Sequence, residues 1–187
     1  MLLIDIAIAL VILCIFAIAI TAVASIFLRT PFVPTSYNVI RTMIDMAHLE
    51  DAHVIYDLGA GDARLLVEAH KRYPHIIARG SELSPLVYVW GRLRIFFSGQ
   101  KVDLRMKDLF TEDLRDADCI FLYLMPGFMK KLNAKFAKEL RPGTKIVSYT
   151  FPFIGLDPVD TKVVPWIQGK QNVFLYIWPE STKRNTQ

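Results

Sequence analysis

Cysteine is nearly absent from this chain: Cys14 and Cys119 are the only two among 187 residues. Cys14 lies in a long apolar run and Cys119 in a predicted buried strand, so the two cannot easily meet and no disulfide framework organises the fold. Histidine is equally sparse. His48, His53, His70 and His75 are scattered through helix and loop contexts, and no pair has metal-ligand spacing, so no metal site is expected. No tract interleaves basic with aromatic residues in the way a nucleic-acid groove requires, and no nucleic-acid partner is expected. Internal repeats and low-complexity tracts are also missing. Most telling, no Lys or Arg precedes Arg29, and Ile6 through Leu28 holds no charge of either sign.

That charge-free run is 23 residues long. As a helix it would measure about 35 Å, enough to cross a hydrocarbon core of about 30 Å. A cleaved signal peptide would need a positive segment before a shorter run, whereas Met1–Asp5 carries only an acid. A buried core helix is disfavoured as well, since the segment is apolar on every face. The run therefore predicts a single membrane span, with lipid contact through residues 6–28. Arg29 and Arg41 follow it, so the positive side, and with it the rest of the chain, is expected on the cytoplasmic face. The net charge of +4 suits a body resting near an anionic leaflet, and it suits an ordinary basic surface equally well. The expected organisation is a span and flank over 1–30, one globular domain over 31–180 and a flexible tail over 181–187.

Beyond the span the pattern alternates. Pro31-Phe32-Val33-Pro34 reads as a stiff linker, and Thr35-Ser36 as a cap for a helix running to His48. Strands are predicted at 54–57, 75–81, 102–106, 118–124 and 145–151. Helices are predicted at 62–73, from Ser84-Pro85 to Ser98-Gly99, and from Pro126 to Arg141. The fourth strand is almost wholly apolar, as a central parallel strand should be. Two last strands, 161–166 and 173–178, flank Gln168–Asn172 as a hairpin. Repeated strand–helix units imply a parallel sheet with right-handed crossovers, and the hairpin adds an antiparallel strand.

The stretch Val54-Ile55-Tyr56-Asp57-Leu58-Gly59-Ala60-Gly61-Asp62 carries the chemistry. A strand ends in an acid, two glycines make a tight turn, and a helix is expected to begin at Asp62. Such a turn lets a ligand approach bare backbone, and a helix start offers amides to an anion. Asp57 can accept from an amine or hydroxyl. A nucleotide-like ligand with both an amine and a carboxylate, such as S-adenosylmethionine, suits it. Glu82 follows the turn at the spacing from which an acid reaches ribose hydroxyls. A nicotinamide fingerprint would place a third glycine where Arg64 stands, and would not need Asp57.

This arrangement, an α/β Rossmann-like seven-stranded sheet with a terminal antiparallel hairpin preceded by one N-terminal transmembrane helix, resembles a class I S-adenosylmethionine-dependent methyltransferase over about Pro31 to Pro179. The resemblance rests on Asp57–Asp62, Glu82, Asp108-Leu109-Phe110 and Leu122-Tyr123-Leu124-Met125-Pro126. It sharpens at Pro31-Phe32-Val33-Pro34-Thr35, Ser81-Glu82-Leu83-Ser84-Pro85 and Ser148–Phe153, which are similar to the membrane-associated protein-lysine methyltransferases of ATP synthase c-subunit and adenine nucleotide translocase and to their archaeal relatives. Where that family often has a further glycine, this chain has Ala63.

The resemblance implies S-adenosyl-L-methionine as cofactor. Asp57 and the amides of Gly59, Ala60, Gly61 and Asp62 are expected at its methionyl end, Glu82 with Leu83 at the ribose, Asp108 and Leu109 at the adenine, and Thr35 near the mouth. Asp62 could equally be only a helix cap, and Asp108 only a turn residue. Tyr123, Pro126, Tyr149 and Phe151, with Phe153, are expected around the acceptor, although Tyr123 reads equally as core. The expected reaction is direct methyl transfer to lysine side chains of membrane or membrane-proximal proteins, since only about six residues, a reach of about 20 Å, separate the span from Thr35. The fourth strand ends without the Asn-Pro-Pro-Tyr type motif of amide and adenine methylases. A lipophilic small-molecule acceptor, or a non-catalytic cofactor-binding membrane module, satisfies the same geometry.

Overall fold

A computed structural model describes residues 2–28, 32–166 and 169–179 of the chain; the side chains of 2, 17–18, 20–28 and 166 lie outside that description. The first helix, α1, is Leu2–Leu28. From 3 to 16 every one of its residues is exposed, so this stretch takes no part in the core. Among the described residues no helix is long and apolar enough to cross a membrane. The later half of the expected span, like the tail over 181–187, lies outside the described side chains.

The remaining elements follow as α2 (Tyr37–Ala47), β1 (Val54–Leu58), α3 (Arg64–Arg72), β2 (Ile77–Glu82), α4 (Pro85–Ser98), β3 (Val102–Met106), β4 (Cys119–Leu122), α5 (Pro126–Glu139), β5 (Lys145–Tyr149), β6 (Asp160–Trp166) and β7 (Gly169–Ile177). They build one seven-stranded sheet in the order β3-β2-β1-β4-β5-β7-β6. Strands β1 to β5 pair in parallel, and β7 runs antiparallel to both β5 and β6. The hairpin is longer than its sequence suggests, because β7 begins at Gly169. Gln171 and Asn172, expected in its turn, instead pair with Val164 and Val163. Pro165 is tolerated because β6 is an edge strand, where a missing N–H costs no ladder bond.

Every residue of β1 and β4 is buried, as expected of strands covered on both faces. One face packs under α2, α3 and α4 around Ile40, Ile44, Leu66 and Phe121. The other packs under α5, where Phe136 meets Phe153 and Trp178. At the amino ends of the strands, Asp118 Oδ2 accepts from the amides of His53 and Val54, at 2.7 and 2.9 Å. Lys145 Nζ donates to the carbonyls of Ala47 and His48, at 2.8 and 2.6 Å, closing the last turn of α2. These ties brace the end of the sheet remote from the cleft. The strand order reverses between β1 and β4, and in open α/β sheets ligands bind outside the carboxyl ends of the strands at such a reversal.

Candidate active site

A cleft of about 770 Å³ opens at that place. Its size lies in the range of small-molecule sites. Asp57, Gly59, Ala60, Gly61 and Asp62 line it after β1, Glu82 and Leu83 after β2, Asp108 and Leu109 after β3, and Tyr123 after β4. Thr35 and Phe151 complete the expected set on its wall. Pro126 and Tyr149 are not among the lining residues. Tyr149 is fully buried behind Tyr123, with ring centroids 4.7 Å apart. Phe153 is excluded from the acceptor side altogether: it is buried between Phe136, Tyr176 and Trp178, and its amide donates to the Tyr176 hydroxyl at 2.9 Å.

The glycine turn departs from expectation. Helix α3 starts at Arg64, two residues late, because Ala63 takes a left-handed conformation at φ 59. The amides of Gly59 and Ala60 both donate to the Ser81 carbonyl, at 3.0 and 2.9 Å, and that of Gly61 donates to Glu82 Oε2 at 3.0 Å. The turn is therefore closed on β2 and does not present the row of free amides expected of Gly59, Ala60 and Gly61. Gly61 sits at φ 56, and a Cβ there would stand 2.6 Å from the Phe32 ring. Only glycine lets Phe32 lie against the turn.

Asp62 does not cap a helix. Arg64 grips its carboxylate through Nε at 2.8 Å and a terminal nitrogen at 2.5 Å, and Arg94 of α4 adds a bond at 2.8 Å. Burial pushes the carboxyl up, but the two guanidiniums hold it below its ordinary value. Arg64 also donates to the Thr35 carbonyl at 2.9 Å, fixing that segment over the cleft. Capping signals fail elsewhere too. Neither Ser36 nor Ser84 makes a side-chain cap bond, and at Ser84 the adjacent Glu82 carboxylate takes the amide instead, at 2.7 Å. Asp108 does cap, accepting from the Phe110 amide at 3.0 Å.

Asp57 is the unusual group. It is 7% exposed, yet among the described residues it has no ion pair and no side-chain hydrogen bond. Burial, and the charges of Glu82 and Asp62, push it up to about 7. Burial likewise raises Glu82, against the amides of Ser84 and Gly61. A buried acid without a cation is a half-made ion pair, and a ligand ammonium would complete it. The residues present thus suit an amino-acid-bearing nucleoside.

The aromatic side contains a feature that sequence reasoning missed. Thr150, a β-branched residue, holds φ 68, and the Phe151 amide bonds back to the Tyr149 carbonyl at 2.8 Å in a γ-turn. The Thr150 amide donates to Asn172 at 2.8 Å and the Ser148 hydroxyl to the Phe151 carbonyl at 2.6 Å, so the reversal is pinned from both sides. Burial raises the phenols of Tyr123 and Tyr149, offset in part by Thr150 beside them. Nothing in single-sequence patterning marks a Thr for positive φ. Arg64, Lys107 and Lys131 also line the cleft, and lone basic residues of this kind carry no spacing signal in the sequence.

A family model described as the ANTKMT methyltransferase domain matches residues 57–160, more than half of the chain. The chain belongs to this family. It is an S-adenosylmethionine-dependent methyltransferase. A protein-lysine N-methyltransferase of Saccharolobus islandicus is 29% identical over 151 residues, covering 80% of this methyltransferase and 94% of that protein. The mouse adenine nucleotide translocase lysine N-methyltransferase is 30% identical over 134 residues, covering 71% of this chain and 58% of the mouse protein. The chain thus spans little more than half the length of that vertebrate relative. A solved Salinibacter ruber RNA methyltransferase, in complex with S-adenosyl-L-homocysteine, superposes with a TM-score of 0.73 at 29% identity, covering 83% of this chain and 99% of that one.

Proposed function

We propose that this methyltransferase modifies lysine side chains of proteins at a membrane. The observation that carries the reading is the division of the cleft: carboxylates at the ends of β1 to β3, and aromatic rings with no carboxylate at the ends of β4 and β5. The cofactor supplies an electrophilic methyl group on a sulfonium. Asp57 would hold its ammonium and Glu82 its ribose hydroxyls, with Asp108 and Leu109 at the adenine. Its carboxylate would not meet the amides of Gly59, Ala60 and Gly61, which are already engaged. Phe110 and Phe128, stacked with centroids 6.0 Å apart, extend the apolar wall.

On the acceptor side, Tyr123 and Phe151 would flank the entering chain, with Tyr149 and Thr150 fixing Tyr123 from behind. Pro126, just past the lining, would act only by setting the start of α5. A lysine amine must lose its proton before it attacks, which costs about 4.6 kcal/mol at pH 7 from a free pKa near 10.4. Desolvation between aromatic rings beside a cation lowers that cost without a dedicated base. Alignment of the two partners can supply several kcal/mol more. The naming of the archaeal and mouse relatives as lysine methyltransferases supports this acceptor.

The finer reading places α1 as a single-pass anchor with the domain on the cytoplasmic side. Its support is the charge-free run from Ile6 to Leu28, with Arg29 and Arg41 after it. The test is incubation of the full chain with labelled cofactor and membrane extract. Label in lysine of membrane proteins is the expected result. Label confined to lipid would shift the reading to a lipophilic acceptor, label confined to RNA would align the chain with the Salinibacter enzyme, and cofactor binding with no label transferred would leave a non-catalytic module.

A further inference from the structure

Helix α4 has two apolar faces, and the fold uses one. Inward, Val87 and Gly91 are buried. A Cβ on Gly91 would stand 2.6 Å from Leu104 and 3.2 Å from the Gly61 carbonyl, so the helix packs hard against the glycine turn. Outward, Leu86, Val89, Trp90, Leu93, Phe96 and Phe97 recur at three- and four-residue intervals and so form one stripe along the helix. All six are exposed, Trp90 by 64%, Phe96 by 77% and Phe97 by 81%. A contiguous stripe of this kind is a binding surface more often than a solvated one.

The charge around the stripe indicates what covers it. From Leu83 to Val102 there are three cations, Arg92, Arg94 and Lys101, and no acid. Arg94 is spent on Asp62, through a 3.1 Å bond to its carbonyl and a 2.8 Å bond to its carboxylate, whereas Arg92 is exposed and makes one long bond, 3.5 Å, to the Leu104 carbonyl. Helix α1, itself exposed from 3 to 16, also comes up against α4. Trp, Phe and Leu on one side with Arg and Lys beside them is the composition of a helix lying in a lipid interface.

We infer that α4 lies in the surface of an anionic bilayer, its outward stripe in the headgroup–acyl boundary and Arg92 and Lys101 against lipid headgroups. The inference rests on the membrane reading of α1 above. It makes the lipid surface a neighbour of the cofactor site, because the inner face of α4 touches Gly61 and its Arg94 holds Asp62.

The test uses the full chain in phosphatidylcholine–phosphatidylglycerol vesicles, with Trp166→Phe and Trp178→Phe leaving Trp90 as the reporter. Lipids brominated near the headgroup should quench Trp90 about twofold, and more strongly than lipids brominated deep in the chains, as an interfacial depth requires. Phe96→Ser with Phe97→Ser should remove most of that quenching while the chain still pellets in alkaline carbonate and still binds cofactor. Unquenched Trp90 in a chain that resists carbonate overturns the inference and leaves the α1 anchor standing. Shallow quenching in a chain that carbonate releases upholds the inference and removes the anchor. Unquenched Trp90 in a chain that never pellets removes both. Unquenched Trp90 with disulfide-linked pairs through Phe97→Cys, in a Cys14→Ser background, assigns the stripe to a second copy and overturns the inference.

Discussion

The two halves of the sheet's carboxyl edge are built from opposite chemistry. On one side of the strand-order reversal, β1, β2 and β3 lead into Asp57, Glu82 and Asp108; on the other, β4 and β5 lead into Tyr123, Tyr149 and Phe151. The acid half is under tension: Asp57 and Glu82 are both pushed up by burial, and only Asp62 has cations of its own. The aromatic half is settled, its rings packed on one another and its reversal pinned by three hydrogen bonds. A site that must take and release a charged ligand keeps its unpaired charges on the ligand's side and its rigid wall on the acceptor's.

The sharpest way to break this contrast is Asp57→Asn. Loss of one partner of a buried charge pair costs about 3–5 kcal/mol, so cofactor affinity measured by calorimetry should fall by about 10² to 10⁴-fold. The same substitution removes an uncompensated buried acid, so the ligand-free protein should melt higher. If affinity holds, the acid half does not bind the amine.

Next in size is the pH response. Asp57 in the ligand-free fold titrates near 7, and the ionised form is the one that pairs with an ammonium. Cofactor affinity should therefore weaken by about an order of magnitude or more between pH 7.5 and 5.5, and Asp57→Asn should flatten the curve. Ligand-free stability should move the other way. The unfolded chain loses this proton near the ordinary value of 3.8 and the folded one near 7, so the Asp57 contribution falls as pH rises between those values.

Phe151→Ala should separate the halves. kcat/KM for a lysine substrate is expected to drop about tenfold with cofactor affinity unchanged, which single-turnover kinetics and calorimetry together would read. Gly61→Ala forces a left-handed residue against Phe32 and should cost about 1–3 kcal/mol of stability by denaturant titration. The smallest effect is expected remote from the cleft, at Tyr56, whose hydroxyl donates to Asp116 at 2.8 Å and accepts from Arg79 at 2.7 Å. Tyr56→Phe should cost about 1 kcal/mol and leave cofactor binding untouched.

Periodicity made the strand–helix alternation and the hairpin legible in the sequence, because burial on one or two faces writes itself into spacing. The strand-end acids were legible for the same reason: Asp57 and Glu82 close predicted strands. What spacing could not convey was partnership. Asp62 reads as a cap until Arg94, 32 residues on, is seen to hold it. The amides of Gly59 and Ala60 read as free until the Ser81 carbonyl is seen beneath them. Phe153 looked like Phe151, yet a step of two along the chain put it among Phe136, Tyr176 and Trp178. The outward stripe of α4 carries no periodic signal of its own, because the inward face of that helix is apolar as well.

Phe32 rests on Gly61 at the rim of the cleft, and the chain runs from it back to α1 in a handful of residues. That ring shields the glycine turn from the cleft mouth, so Phe32→Ala should widen the rim and speed cofactor exchange, read by stopped-flow, while leaving the chemical step as it was.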